Sequence, residues 1–363
     1  MTVSQHGRLN GVEALRGVAA TLVVLYHAAE LLGGAKSYGV VPFAGFWGFG
    51  RAGVDFFFVL SGFIITFVHA RDLGHPASFG PFWRKRLLRI YPTWWVVLLA
   101  YGALLAISPT PDRSEQELPH ILASALLMPE TSDPIVGVGW SLRHELLFYA
   151  LFSAVLLWRP AGVAIFAAWA GGILLNMWGQ LQTGQPYFGG LAGEWLFRGF
   201  NLQFFFGIAT AVVVRAGIGR AWRTAALCGA AGFLATGMTE SFLPPVMHEW
   251  PVRTVMYATS AALVLYGVAM LDRYGQGRTP ALLLRLGTAS YSIYLVHVPV
   301  LLVLEYWLRT LREFVPIPAP LAFAGLVVLA VVIGVAFSET VEQPLLRLGR
   351  PRPRPCPEAR PFL

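Results

Sequence analysis

Arg16 and His27 lie eleven residues apart in an apolar run near the N-terminus, and their residue types already suggest chemistry. On a helix that separation displaces them by about 16 Å along the axis and only about 20° around it, so they share a face at different depths. A guanidinium near the mouth of such a helix suits an anion, and a deeper imidazole suits proton abstraction near neutral pH. The plainer reading is a polar pair hydrogen-bonded between packed helices, although an ionisable group at that depth marks a functional position by default.

Three further groupings could join them. GVDFFFVLSGF at 53 to 63 sets Asp55 and Ser61 among aromatics. Ser61 lacks the earlier glycine of a G-x-S-x-G elbow, which argues against a serine hydrolase; Asp55 can orient or charge-balance a neighbour, and Phe56 to Phe58 read as packing. In WRKRLLRIYP at 83 to 92, Arg86 and Arg89 are one helical turn apart, so their two forks can converge on phosphates. The same cluster also reads as a positive-inside signal or an anionic-lipid contact.

In GWSLRHE at 139 to 145, Ser141 and Glu145 share a helix face at i,i+4 beside Trp140. These side chains can hold a sugar hydroxyl, orient His27, or form a structural network. His144 and Glu145 point apart, and neither H-E-x-x-H nor paired cysteines occur, so no metal site is expected. SYSIYLVH at 290 to 297 and EQPL at 342 to 345 read as structural, with substrate contact assigned to His297 and a kink to Pro299.

The elements that must position these residues are membrane helices. Of 363 residues, 56% are hydrophobic and only 13% charged, with 12 Trp and 25 Phe, and the mean hydropathy is +0.60. Such a chain has too little polar surface for a soluble or disordered protein. Runs of the 17 to 25 residues that cross the hydrocarbon give about ten spans, near 12–32, 49–70, 90–108, 138–158, 161–178, 195–214, 221–240, 252–271, 284–308 and 319–340. The run Leu118 to Pro129 is too short to cross. The expected architecture is therefore an all-α integral membrane protein.

With the N-terminus inside, 18 of the 27 Lys and Arg fall on the cytoplasmic side and six on the other, the remainder lying within spans or at their ends. An even span count then makes both termini cytoplasmic. The net charge of +8 is accounted for by these loops, and no nucleic-acid partner is implied. Cys228 and Cys356 make no disulfide framework. No removable signal peptide is expected, because Glu13, Arg16, His27 and Glu30 interrupt the first apolar run. The division expected is a membrane domain over 1–348 and a basic, Pro-rich tail over 349–363.

Taken in order, these motifs resemble acyltransferase family 3, the membrane O-acyltransferases: Arg16 with His27, GVDFFFVLSGF, the R-x-x-R of Arg86 and Arg89 before Ile90-Tyr91-Pro92, WSLRHE, SYSIYLVH and VEQPL. The resemblance runs from about residue 9 to 348 and is nearest to exopolysaccharide and lipopolysaccharide O-acetylases. Where the commoner family form has two acidic residues, this chain has Glu145 followed by Leu146.

The resemblance implies a multi-pass enzyme of the inner (plasma) membrane. It would move an acyl group, commonly acetyl, from cytoplasmic acyl-CoA to a hydroxyl of a glycan or glycolipid, with acetyl-CoA as donor substrate and no bound cofactor. In that scheme His27 is the general base, with Asp55 and Glu145 at the catalytic centre. Arg16, Arg86 and Arg89 assist the acyl-CoA, and Trp140, Ser141 and His297 meet the acceptor. Direct transfer and a covalent acyl-enzyme both fit. A transporter for an anionic solute or glycan precursor is the alternative from another class, since intramembrane Arg, His and Glu also mark transport paths.

Overall fold

Lipid offers the backbone no hydrogen-bond partners, so an apolar chain of this kind must satisfy its amides internally. The computed structural model describes residues 9–106, 117–219, 221–242, 251–275 and 278–349, and among them there are helices and no strands. Cys356, Gly277 and the tail beyond Gly349 lie outside the described residues.

In chain order the α-helices are α1 (Asn10–Gly33), α2 (Gly53–His69), α3 (Phe79–Ala106), α4 (Leu118–Leu126), α5 (Trp140–Leu157), α6 (Arg159–Thr183), α7 (Leu202–Ala216), α8 (Trp222–Phe242), α9 (Pro251–Arg273), α10 (Ala281–Thr288), α11 (Ser290–Arg312), α12 (Ala319–Phe337) and α13 (Gln343–Leu348). A 3-10 run, Pro42–Ala52, leads into α2, and a π turn, Ser338–Glu342, joins α12 to α13.

Eight segments among the described residues are long and apolar enough to cross a membrane. They contain α1, α2, α3, α6, α7, α9, α11 and α12. α5 and α8 stand where the two other spans are expected and are helical, but they fall outside that set. WSLRHE opens α5, while Arg223 and Glu240 lie in α8. The third span begins earlier than expected, at Phe79 rather than near residue 90, so the Arg84 to Arg89 cluster is helical and Pro92 sits inside α3. The short run after residue 117 is a nine-residue helix, α4.

α2 is the most enclosed of the eight segments. It packs against α7 through facing glycines: a side chain on Gly62 would strike the Phe204 backbone, and one on Gly207 would strike the backbone of Val59 and Phe63. Small residues here let the two backbones approach closely, which is how helices gain packing energy in lipid. α1 lies alongside α2, α9, α10, α11 and α12, so the helix carrying Arg16 and His27 is central to the bundle.

The segment before α5 is pinned from several sides. α4 ends at Leu127, which takes a left-handed φ of 52°. Trp94 Nε1 donates to Ser124 O at 3.0 Å, and Ser124 Oγ accepts the Ile135 amide at 3.1 Å. These buried bonds hold the approach to Trp140 and so fix where WSLRHE enters the bundle. α11 is tied to α3 by Tyr291 OH, which donates to Ile90 O at 2.8 Å.

Candidate active site

Two cavities flank α2 and share Val54 as a lining residue. The first turns of α5 also serve both walls, since a helix turns about 100° per residue and sends adjacent side chains to different faces. Ser141 and Glu145 face the smaller cavity, of about 110 Å³. Trp140 and His144 face the larger one, of about 350 Å³.

The smaller cavity gathers Arg16 from α1, Ser61 from α2, and Arg86 and Arg89 from α3. Their surroundings differ. Arg89 forms an ion pair with Glu342, whose second oxygen accepts from Ser292 Oγ at 2.5 Å and Ser338 Oγ at 2.9 Å. The Arg89 guanidinium also stands 5.0 Å from the centre of the Tyr291 ring. Arg86 Nη2 donates to His69 Nε2 at 3.2 Å, and His69 Nδ1 donates to Asp72 at 2.7 Å. Arg86 Nε is buried with no hydrogen-bond partner.

The Arg16 side chain makes no hydrogen bond or ion pair among the described residues. Glu145 is the carboxylate lining this cavity, and its Oε1 accepts from Ser61 Oγ at 2.7 Å and Tyr149 OH at 2.5 Å. Three guanidiniums against Glu145 and the paired Glu342 leave a surplus of positive charge, which favours an anionic ligand.

The larger cavity is lined by His27, Asp55, Trp140 and His144 together with Arg51, Arg143, Arg253 and the acidic Glu130, Asp133 and Glu194. Here most of the charges are paired. Asp55 is buried, accepts from Gln203 Nε2 and lies 3.7 Å from Arg253. Behind it Glu240 pairs with both Arg51 and Arg253 and accepts from Tyr257 OH at 2.6 Å. Arg143 donates to Ser132 O at 2.6 Å and reaches Glu130 at 3.4 Å. His144 Nδ1 donates to Asn201 Oδ1 at 2.9 Å. Indole and phenyl faces beside paired polar groups suit a ligand with both hydroxyl edges and an apolar ring face.

The structure thus separates residues that the sequence places in one catalytic group. Asp55 shares a cavity with His27, whereas Glu145 belongs to the arginine-lined cavity. The His27 ring meets His297, with Nε2 3.2 Å from Nδ1, and Tyr26 edge-on at 4.8 Å between centroids, while Trp140 and His144 of WSLRHE line the same cavity as His27. His297 itself has a fully buried side chain, lines neither cavity, and uses Nδ1 on Tyr294 O at 2.6 Å. Ser141 Oγ lies 2.8 Å from Tyr294 OH beside its place in the arginine-lined cavity.

Glu342 and the Arg51–Glu240–Arg253 cluster are not among the site residues to which the sequence points. Glu240 and Arg253 carried a signal, since ionisable residues at span ends need partners. Glu342 carried less, because its pairing with Arg89 depends on how the end of the chain folds back onto α3.

A helical bundle that brings an arginine-lined cavity to a histidine-lined one is suited to group transfer from an anionic donor. The family model described as "Acyltransferase domain" matches residues 9–339, and the chain belongs to that family. It is accordingly an all-α integral membrane protein and an acyltransferase for groups other than aminoacyl. Among relatives, the exopolysaccharide production protein ExoZ of Rhizobium meliloti (strain 1021) is 30% identical, covering 91% of this chain and 96% of the relative. Acyltransferase MdmB of Streptomyces mycarofaciens is 28% identical, covering 95% of this chain and 94% of its own. No solved structure matches the chain.

Proposed function

We propose that this enzyme is an O-acyltransferase of the inner (plasma) membrane that moves an acyl group, most simply acetyl, from cytoplasmic acyl-CoA to a hydroxyl of a polysaccharide or glycolipid intermediate. The observation that carries this reading is that a cavity with surplus arginine and one that holds His27 share a wall residue, Val54. The relative named for exopolysaccharide production supports the choice of acceptor.

In this reading Arg16 and Arg86, with Arg89 steadied by Glu342, hold the phosphates of the donor. The pantetheine arm then carries the thioester past Val54. Arg16 and His27 are separated by about 16 Å along α1, a span that such an arm can cover. The acceptor occupies the larger cavity, with its sugar face on Trp140 and its hydroxyl at His27. As that hydroxyl attacks the thioester carbon, His27 takes its proton; the carbon–sulfur bond breaks and the thiolate leaves.

On the positive-inside count the arginine-lined cavity opens to the cytoplasm and the larger cavity to the opposite side. The apolar runs give ten spans, with α5 and α8 as the two beyond the most apolar set, and with the N-terminus inside that even number puts both termini inside.

The test is thioester consumption. Purified protein in nanodiscs, given acetyl-CoA and a candidate glycan, should release free coenzyme A in step with glycan acetylation. His27→Gln, whose amide keeps a hydrogen bond but cannot take the proton, should bind acetyl-CoA and fail to transfer. Solute accumulation in vesicles with no release of coenzyme A would make the protein a transporter instead. Near-normal turnover by the Gln variant would remove the general-base role of His27.

A further inference from the structure

His27 and His297 meet ring to ring with centroids 4.9 Å apart, and their backbone partners settle which nitrogens carry hydrogen. A carbonyl oxygen only accepts. His297 Nδ1 lies 2.6 Å from Tyr294 O and His27 Nδ1 lies 3.0 Å from Val23 O, so each Nδ1 is an N–H. A neutral His297 therefore has its lone pair on Nε2, the atom 3.2 Å from His27 Nδ1. The His27 Nδ1–H is shared between Val23 O and His297 Nε2. That leaves the His27 lone pair on Nε2, which has no hydrogen-bond partner among the described residues, on a ring that lines the larger cavity.

We propose that His297 is a positioning residue for the transfer. It is a neutral acceptor that holds the His27 ring with Nε2 as the basic atom and steadies the imidazolium formed there. The inference rests on His27 acting as the general base. The acceptor O–H breaks and its proton goes to His27 Nε2; the oxygen pair bonds to the acyl carbon and the C–S pair leaves on sulfur. The Nε2 proton is then returned to the departing thiolate, while the Nδ1 proton stays on His27 throughout. Because His297 is fully buried, a neutral acceptor avoids the cost of burying the anion that holds the base in hydrolytic triads.

Other titratable groups surround the pair. They are Tyr26 and Glu30 on α1, Arg51 in the 3-10 run, Asp55 on α2, Arg143 and His144 on α5, Arg253 on α9 and Tyr294 on α11. α12 brings the apolar Phe323, Leu326 and Ala330 to the cluster around α1 and α11. Since a change at His297 leaves all these groups in place, a pH profile taken against wild type isolates the histidine contact.

The experiment uses full-length protein in nanodiscs with acetyl-CoA and an acceptor glycan. His297→Phe should lower kcat by about 10- to 100-fold, the worth of a hydrogen bond to a charged group, with the KM for donor within about twofold. Its acid limb in kcat/KM should move about one pH unit lower, because the imidazolium has lost its acceptor and forms less readily. His297→Gln, whose side-chain oxygen can accept the same N–H, should recover most of the rate and restore the limb.

A Phe variant with normal kcat and an unmoved limb overturns the proposal, as do Phe and Gln variants equally impaired with unmoved limbs. Nitrogen-15 NMR of histidine-labelled wild type adds a readout that needs no variant at His297. The His27 signals, identified by their loss in His27→Gln, should show the Nδ1–H tautomer, and the Nε2–H tautomer overturns the assignment. An active His27→Gln enzyme removes the general-base reading itself. An inactive one beside an unaffected His297→Phe removes only the role of His297.

Discussion

Arg89 and Glu342, 253 residues apart, form an ion pair that ties α3 to the π turn after α12. Glu342 is fully buried and also accepts from Ser292 and Ser338. Removing one partner of such a pair leaves an uncompensated charge, which costs about 3 to 5 kcal/mol. Glu342→Ala should therefore lower the thermal midpoint of the detergent-solubilised protein markedly. A midpoint unchanged from wild type would mean that Arg89 is solvated by the cavity rather than held by Glu342.

Arg16 offers the complementary case, because it has no ion pair to lose among the described residues. Arg16→Ala should leave the thermal midpoint within a degree or two while weakening acetyl-CoA binding by roughly tenfold, the scale of one charge-assisted contact. Arg86→Ala should weaken binding similarly, and alanine at Arg352 and Arg354 in the tail should leave it unchanged. Equal effects at the cavity and tail arginines in a binding assay would return Arg86 and Arg89 to a positive-inside role.

The sequence shows the helices and the chemistry more clearly than it shows their grouping. Apolar length and the lack of backbone partners in lipid dictate helices, and the i,i+4 spacing puts Ser141 and Glu145 on one wall as expected. The 11-residue spacing of Arg16 and His27 gives one face at two depths, and these depths belong to two cavities. What spacing cannot give is which face of α5 looks toward which cavity. That orientation depends on how the segment before the helix is held, where the Trp94–Ser124 and Ser124–Ile135 bonds lie. The contact of His297 is hidden from spacing for the same reason: a histidine in an apolar span needs a polar partner, and only the approach of α11 to α1 shows that one partner is another histidine.

The α2–α7 crossing predicts a stability effect remote from the chemistry. A Cβ on Gly207 would meet the backbone of Val59 and Phe63, which cannot rotate away as a side chain could. Gly207→Leu should force the helices apart and reduce the yield of folded protein, with overpacking costs of about 1 to 3 kcal/mol or more. Gly102→Leu, where an added Cβ meets nothing within 4 Å, is the control. Equal yields and thermal midpoints for the two variants would show that the crossing tolerates separation.

The topology proposed above rests on the arginine asymmetry together with an even number of spans. Cys228 is exposed, so labelling begins from a Cys228→Ser and Cys356→Ser background. Single cysteines placed at Lys36 and Gly277 should react with a membrane-impermeant maleimide from opposite sides of oriented vesicles. Labelling of both from one side would sink the ten-span arrangement with both termini in the cytoplasm.

Val54 gives the sharpest test of the two-cavity arrangement, because it is 8% exposed and is the residue common to both linings. If the thioester reaches His27 past this side chain, filling the junction should separate donor binding from transfer. Val54→Trp adds an indole where a branched aliphatic chain stands, and it leaves Arg16, Arg86 and His27 unaltered. Acetyl-CoA affinity should then stay within about threefold of wild type, while acetyl transfer falls by about 100-fold or more, since a misplacement of an ångström already costs about that much. Val54→Ala should keep transfer near the wild-type rate. Because Trp could instead disturb α2 packing, the thermal midpoint and retained donor binding serve as the folding control. A folded Val54→Trp enzyme that binds acetyl-CoA and transfers acetyl at the wild-type rate would mean that donor and acceptor meet by another route.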